Sequence, residues 1–270
     1  MNFKTLIASA IFALAGTAVV AQDLFVAAGR EGWGYDRRAT ALVEQLRGEW
    51  DVMNLSGSED IAREVCAGNA KVGIAQVDAI YQMSVEGCTL QPLGIYPAQE
   101  FAFIMFPPDG ENEMDDLNAD NRILVGEAGS GSALFWRTIV SIENGEHGNG
   151  SSWSEATPVY GPFALADTQA SLGNIDAVIM VTSPDADIIQ QLLTAGWEVG
   201  ELDDKDINDF QFNRGNLYER STIRIDHPSR FRDIRQDAIE VRSYWIGNTD
   251  FLMEDQGFMA RAASLIGTIQ

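Results

Sequence analysis

The segment 122–139 (RILVGEAGSGSALFWRTI) carries the residue types best suited to binding a small anion. A short apolar run ends in glycines, among them Gly129 and Gly131, interleaved with Ser130 and Ser132, and an apolar helical pattern follows. The first N–H groups of a helix are unpaired and carry a partial positive charge, so such a strand-to-helix turn can hold a carboxylate. The same residues also fit a tight turn in which Ser130 or Ser132 only caps the helix.

Three further polar turns follow predicted strands in the N-terminal half of the chain. They are rich in Gly, Ser and amide groups and span residues 29–35, 54–58 and 76–78. Each has a purely structural explanation, because Ser58 and Asp78 fit helix N-caps and Gly57 fits a turn. In open parallel sheets, however, ligands bind beyond the carboxyl ends of the strands. Together the four turns predict a cleft lined by N–H and hydroxyl donors.

The elements that would position these turns alternate between short apolar runs and longer helical patterns. Strands are predicted at residues 24–28, 50–55, 72–76, 123–125, 157–160, 175–181, 197–202 and 218–225. Helices are predicted at residues 36–46, 58–65, 78–85, 132–142, 163–172, 185–195 and 250–269. An extended stretch, residues 90–106, joins two strand–helix series. This pattern predicts an α/β fold with two lobes, each a mostly parallel sheet flanked by helices, and a ligand cleft between them.

The order of the predicted elements also suggests how the chain is divided. We expect a first lobe from residues 22–102 plus about 226–270, because the C-terminal helix would return to the first sheet. We expect a second lobe from residues 103–225. Hinges between the lobes are then predicted within residues 95–105 and 223–228.

The N-terminus indicates export. Lys4 precedes an apolar stretch, residues 6–20, and small residues lie before Gln22, as in a secretory signal peptide cleaved after Ala21. No later segment offers the roughly 20 apolar residues that a membrane-spanning helix needs. We therefore expect a periplasmic protein from which residues 1–21 have been removed.

Composition excludes several classes of partner. The 270 residues include 40 acidic and 18 basic side chains, a formal net charge of −22, which argues against nucleic acid and anionic membranes. The only histidines are His147, in a glycine-rich loop, and His227, and no CxxC or HExxH motif occurs. We therefore expect no metal and no cofactor. We also expect a monomer.

Two cysteines, Cys66 and Cys88, end successive predicted helices. An exported chain permits a disulfide. If both helices cross back over one parallel sheet, their C-termini lie at the same edge of it, and pairing is geometrically possible. The sequence leaves open whether the two cysteines are bridged.

The chain resembles a known family in four segments, which occur in the expected order: GYDRRATALVEQL, NLSGSEDIAREVCAGNAKVGIAQVDAIY, MDDLNADNRILVGEAGSGSALFW and GNIDAVIMVTSPDADIIQQL. They follow the pattern of the TAXI family, the substrate-binding proteins of TRAP-type transporters, which have a type II periplasmic-binding fold. The resemblance implies hinge closure around a small solute and docking on integral membrane transporter subunits. It implies ligand contacts from Tyr35, Ser56, Gly57, Ser58, Gln76 and Asp78 in the first lobe and from Gly129, Ser130, Gly131 and Ser132 in the second.

The solute expected from these residues bears a carboxylate, as an amino acid or organic acid does. The N–H groups of residues 130–132 could bind the carboxylate, and Trp33 or Tyr35 could pack on the apolar part. An arginine could complete a clamp, and the sequence does not choose among the three candidates, Arg30, Arg37 and Arg137.

Two alternatives remain open at this point. A ligand sensor docking on a membrane receptor would have the same fold and differ only in its partner. A hydrolase using Ser130, with His227 as the candidate base, is less favoured, because the G-x-S-x-G spacing of the α/β-hydrolase nucleophile turn is not met. We expect that the protein is not an enzyme.

Overall fold

The computed structural model describes residues 24–46, 48, 50–145, 148–202, 204–228 and 233–269. The expected signal peptide and His147 lie outside these ranges. None of the helices within them combines the length and apolar character that crossing a bilayer requires.

Strands and helices alternate along most of the described chain. The strands are β1 (Leu24–Ala28), β2 (Trp50–Asn54), β3 (Val72–Gln76), β4 (Leu90–Ile95), β5 (Phe101–Phe106), β6 (Arg122–Leu124), β7 (Thr157–Val159), β8 (Ala177–Thr182), β9 (Glu198–Gly200), β10 (Gln211–Phe212), β11 (Gly215–Asn216), β12 (Glu219–Ile225), β13 (Ile234–Glu240) and β14 (Ser243–Asn248). The helices are α1 (Gly34–Gln45), α2 (Ser58–Cys66), α3 (Val77–Val85), α4 (Gly131–Glu143), α5 (Ala166–Ser171), α6 (Asp187–Thr194), α7 (Lys205–Asp209), α8 (Thr249–Glu254) and α9 (Gln256–Ile266).

The first sheet has the strand order β2-β1-β3-β14-β4. Strands β2, β1 and β3 are parallel, whereas β14 runs antiparallel to both of its neighbours. Helices α1, α8 and α9 pack on one face, and α2 and α3 on the other. Because both faces are covered, every residue of β3 is buried. This sheet and its five helices are called the first lobe.

The second sheet has the order β12-β13-β5-β8-β6-β7, and β9 also pairs with β5. Strand β5 (FAFIMF) is buried throughout, and its side chains alternate between two cores. Ala102, Ile104 and Phe106 enter the core beside α4, whereas the intervening residues enter the core beside α5 and α6. The period of two follows from the pleat of a strand. This sheet and helices α4–α7 are called the second lobe.

The chain crosses between the lobes at two adjacent segments. Residues 96–100 lead from β4 to β5, and residues 241–242 lead back from β13 to β14. The two crossings are hydrogen-bonded to each other: the Tyr96 N–H donates to the Ser243 carbonyl at 2.8 Å, and the Val241 N–H donates to the Glu100 carbonyl at 2.9 Å. Together they form a two-stranded connection between the sheets.

The two-lobed α/β architecture predicted from the sequence is confirmed, but the sheets are mixed and not mostly parallel. Strand β14 runs antiparallel to its neighbours in the first sheet, and β5 and β13 run antiparallel to theirs in the second. The second crossing was also placed too early. Residues 223–228 lie in β12 and the turn that follows it, within the second sheet. Strand β12 pairs with β13 in full antiparallel register, from Glu219 with Glu240 to Ile225 with Ile234. The chain therefore adds another strand to the second sheet and returns only after Glu240, not at about residue 226. Strand β5, beginning at Phe101, likewise belongs wholly to the second sheet.

The two cysteines, whose pairing the sequence left open, form a disulfide. Cys66 ends α2, Cys88 follows α3 by three residues, and the two are joined by a disulfide with a Cα–Cα distance of 6.1 Å. Both helices cross the same face of the first sheet, which brings their ends together, as the helical order suggested.

Reducing this bridge should lower the melting temperature. A cross-link between residues 22 apart removes unfolded-state entropy worth about 3 kcal/mol, which corresponds to roughly 6–12 °C in a chain of this size. Differential scanning calorimetry with and without reductant measures the shift. The Cys66→Ser/Cys88→Ser variant serves as the control, since it should melt at the lower temperature under both conditions. An oxidised protein that melts at the temperature of this variant would contradict the prediction.

Candidate ligand site between the lobes

The predicted polar turns of the two lobes meet. A Cβ atom placed on Gly57, just before α2, would lie 2.7 Å from the Ser130 Cα at the start of α4. A Cβ atom on Gly131 would lie 2.1 Å from Gln76 Oε1. Real Cβ atoms are essentially never this close to another atom. At Gly57 the obstructing atoms are backbone, so only glycine permits this contact between the lobes, whereas at Gly131 they belong to the end of the Gln76 side chain. The carboxyl ends of β2, β3 and β6 thus face one another, as the sequence suggested.

The serines in these turns have different roles. Ser130 is the N-cap of α4, and its Oγ accepts a hydrogen bond from the Ala133 N–H at 3.2 Å. Ser132 Oγ accepts from the Val181 N–H at 2.9 Å, which ties the first turn of α4 to β8. The cap interpretation is therefore correct for the Ser130 hydroxyl, and the Ser130 N–H also donates within the turn, to the Glu127 carbonyl at 3.0 Å.

In the first lobe, the N-cap residues of α2 and α3 are not the ones that the sequence suggested. Gly57, in an extended conformation, is the N-cap of α2 and gives no side-chain cap, so Ser58 lies in the first turn and is buried. Gln76 is the N-cap of α3, which places Asp78 inside the helix. Ser56 is exposed.

A polar cluster that the sequence did not reveal lies beside the crossing segments. The Tyr35 hydroxyl donates to Glu100 Oε2 at 2.7 Å, and Ser243 Oγ donates to the same oxygen at 2.6 Å. Burial raises the pKa of Glu100, and hydrogen bonds from Ser243, Tyr35 and Gln76 oppose this shift. Burial, with the charge of Glu100 as the next cause, raises the pKa of Tyr35. The predicted contact residue Tyr35 is thus linked to the hinge.

Gln76 holds an unsatisfied acceptor at the centre of the contact. Its side chain is 3% exposed, and Oε1 has no hydrogen-bond partner among the described residues. This oxygen lies against Gly131, at the N-terminus of α4. A buried polar atom without a partner costs free energy of about 1–3 kcal/mol, so this position favours a donor supplied from outside the chain.

Asp78 forms a buried hydrogen bond across the lobes. It is fully buried, accepts from the Tyr218 hydroxyl of the second lobe at 3.2 Å, and accepts from the Ala79 N–H at 2.9 Å. Burial raises the pKa of Asp78 to about 7, while the two hydrogen bonds act in the opposite direction. Tyr218 is in turn held edge-on against Phe135 at a centroid distance of 5.1 Å.

The three candidate clamp arginines are all engaged by the protein itself. Arg30 forms an ion pair with Glu127 of the second lobe, and Arg137 of the second lobe pairs with Glu59 at 2.7 Å. Arg37 donates to the Gly32 carbonyl at 2.7 Å. The first two pairs bridge the lobes at their rim, where partial exposure limits each to about 1 kcal/mol or less.

Trp33 and Tyr35, the two aromatic residues expected to pack on the solute, lie in different environments. Trp33 is 65% exposed, with the Arg30 guanidinium 5.7 Å from its ring centroid, whereas the Tyr35 ring is packed edge-on against Tyr96 at 4.9 Å. Beside the polar contact, Tyr81 of α3 lies edge-on against Phe210 and Phe212 of the second lobe, at 5.5 and 5.4 Å. The lobes therefore meet through both apolar and polar groups.

This arrangement can bind a polar solute with groups of either charge. Helices α2, α3 and α4 all begin at the contact, and their first N–H groups attract an anion. Glu100 and Asp78 lie on the same side and can accept hydrogen bonds from a cation or a neutral donor. As a nucleophile Ser130 is poorly placed, because its oxygen already accepts from the helix it caps.

The fold is similar to that of known periplasmic solute-binding proteins. The periplasmic aliphatic sulphonate binding protein SsuA from Escherichia coli aligns with 92% of this chain and 68% of its own, at 12% identity and a TM-score of 0.51. A protein from Bordetella bronchiseptica RB50 aligns with 92% of this chain and 70% of its own, at 13% identity and a TM-score of 0.55. Identities this low show the fold alone.

The same fold is also used by an enzyme. The ATP phosphoribosyl transferase (HisG:HisZ) complex from Thermotoga maritima aligns with 91% of this chain and 98% of its own, at 11% identity and a TM-score of 0.51. Neither the protein-family models nor the curated proteins gave a match to this sequence. The chain thus has the two-lobed fold of the periplasmic binding proteins.

Enlarging Gly57 should hold the lobes apart. The backbone of Gly57 is extended, with φ of 170°, so alanine fits the first lobe itself, and the obstruction comes from the backbone of residues 129–131 in the second lobe. We expect Gly57→Ala to shift the protein towards an open form with a larger radius of gyration in small-angle X-ray scattering. Gly215→Ala, where a Cβ would meet nothing within 4 Å, is the matched control. Identical scattering from the two variants would contradict the prediction.

Asp78 should make the free energy of unfolding decrease as the pH rises. Its pKa is about 7 in the folded state and about 4 in the unfolded chain, so between these values only the folded state keeps the proton. The Asp78 contribution to the free energy of unfolding therefore falls as pH rises from about 4 to about 7, and is constant above that.

Urea unfolding of the wild type and Asp78→Asn across this pH range isolates the effect. The difference in free energy of unfolding, wild type minus variant, should decrease as the pH rises. Asp120→Asn, in an exposed turn, controls for a general change of charge. A difference that is independent of pH would show that the Asp78 carboxyl is not protonated in the folded protein.

Proposed function

We propose that this protein is an exported solute-binding protein of the TAXI type. In this proposal it captures a small, carboxylate-bearing solute between its lobes and delivers it to a TRAP-type membrane transporter. The observation that carries the proposal is the meeting of polar turns from both lobes around the unpartnered Oε1 of Gln76. The shared fold agrees with this role but does not decide it, because an enzyme has the same fold.

Capture would proceed by closure of the lobes around the solute. In the structure Gly57 touches Ser130, so a solute could enter only after the lobes separate. A solute that contacts both lobes stabilises only the closed state, and its binding therefore shifts the population towards closure. The paired crossings at residues 96–100 and 241–242 are the natural hinge, because these are the segments that join the two sheets.

The groups at the contact favour an amino acid within the class of carboxylate-bearing solutes. The N-termini of α2 and α4 would bind the carboxylate through their first N–H groups. The Glu100 carboxylate, which already accepts from Tyr35 and Ser243, would receive an ammonium group. A dicarboxylate would place a second negative charge near Glu100 and should bind less well.

We also propose which residues contact the solute and where in the cell the protein acts. The predicted contact set is kept, with the qualification that the Ser130 and Ser132 hydroxyls and the Ser130 N–H are used within the second lobe. The donors proposed for the solute in this turn are therefore the N–H groups of Gly131 and Ser132. We propose a periplasmic monomer whose first 21 residues direct export. Binding is favoured over catalysis because the Ser130 hydroxyl serves as a helix cap.

A ligand screen tests the proposal directly. Thermal-shift measurements with amino acids, monocarboxylates and dicarboxylates should find stabilising solutes, with amino acids the strongest, and titration calorimetry then gives their affinity. Gln76→Ala and Glu100→Gln should each weaken binding by about tenfold or more, because each removes a hydrogen bond to a charged or buried group.

Gln91→Ala, an exposed glutamine on β4 of the first lobe, is the matched control and should bind as the wild type does. If no member of these classes binds, the proposed solute class is wrong. If a solute binds but its affinity is unchanged in both site variants, it does not occupy the contact between the lobes.

A further inference from the structure

Three carboxylates converge at the end of α4 that points away from the contact between the lobes. Glu143 is the last residue of α4, Asp204 is the N-cap of α7, and Asp206 lies in the first turn of α7. One oxygen from each lies within 4.8 Å of the other two. The sequence predicted no metal site, because it contains no CxxC or HExxH motif and Glu143 lies about 60 residues before the two aspartates in the chain.

Glu143 has an unusual environment for an acidic side chain. It is 0% exposed, Oε1 accepts from the Ser151 N–H at 2.6 Å, and Oε2 is buried with no hydrogen-bond partner among the described residues. Charged side chains are almost never fully buried unless they are paired. A buried carboxylate with one open oxygen therefore indicates a missing positive partner.

Among the residues that the structure describes, none supplies that partner. Within the described ranges, no lysine, arginine or histidine forms an ion pair with any of the three carboxylates. The nearest cation in the sequence, Lys205, instead pairs with Asp209 at 2.9 Å. Three acids facing one another without a cation are unfavourable because like charges repel.

We propose that Glu143, Asp204 and Asp206 bind a calcium ion. Calcium takes six to eight oxygen ligands at about 2.3–2.6 Å, so two oxygens on one ion lie at most about 5 Å apart, which fits this cluster. Magnesium is a weaker candidate, because it demands near-ideal octahedral geometry at shorter distances and gives up its waters reluctantly.

A bound ion would join three parts of the second lobe. Glu143 belongs to α4, Asp204 and Asp206 to the start of α7, and the Ser151 N–H brings the loop after α4 to the same carboxylate. The site would be structural, and it is independent of the solute proposed for the contact between the lobes. Other oxygen ligands would be waters, since Asp206 is only partly buried.

Calcium titration of the full chain tests this proposal. After chelator treatment, titration calorimetry at constant ionic strength should show one saturable site with a dissociation constant of about 10⁻⁴–10⁻³ M. Calcium should also raise the melting temperature, and an equal ionic strength of sodium chloride should not reproduce this rise. Glu143→Gln and Asp206→Asn should lose both effects, whereas Asp209→Asn, an acid on the same helix outside the cluster, should keep them.

The variants also distinguish calcium bound at this site from calcium that only screens the negative charges of the protein, whose net charge is −22. Without calcium, Glu143→Gln should melt at a higher temperature than the wild type, because one of three repelling charges is gone. If Glu143→Gln does not fold, Asp206→Asn decides, since that side chain is partly exposed. The proposal is overturned if the wild type takes up no calcium, or if Asp206→Asn responds to calcium as strongly as the wild type.

Discussion

The close approach of Gly57 to the start of α4 is the constraint on which the arrangement of the lobes depends. A single Cβ atom at Gly57 would lie 2.7 Å from the backbone of Ser130, so the two helix N-termini can meet only because the side chain is absent. The buried contacts around it follow from that approach: Asp78 reaches Tyr218, and Gln76 lies against Gly131. The arginines of the two ion pairs between the lobes, Arg30 and Arg137, are partly exposed, so these pairs add little to the buried contacts.

Most of the polar groups described at this contact form hydrogen bonds within the protein, and one is left without a partner. Ser130 and Ser132 use their hydroxyls to order the first turn of α4, which fixes where its N–H groups point. Glu100 and Tyr35 connect the same region to the crossing segments, so the position of the hinge is coupled to the groups at the site. Gln76 Oε1 remains without a partner among the described residues. The contact between the lobes thus presents one buried acceptor that a polar molecule could satisfy.

The fold and the meeting of the polar turns were predictable because they follow from local patterns. Apolar runs such as β3 and β5 identify buried strands, and the carboxyl ends of parallel strands share one edge of a sheet. Strand β13 (IRQDAIE) was missed because its charged residues interrupt the apolar pattern, and this error moved the second hinge. The roles of Glu100 and Glu143 could not be predicted, since each depends on partners far away in the chain.

The place of β14 in the first sheet affects how the protein can fold. This strand lies between β3 and β4 but is made more than 140 residues later than β4, after the whole of the second lobe. The N-terminal segments therefore cannot complete their sheet while the chain is still emerging, and unpaired strand edges on β3 and β4 stay exposed until the C-terminal residues arrive. The second lobe, in contrast, is one continuous stretch and can assemble early. Completion of the first sheet must wait until β14, residues 243–248, has been made.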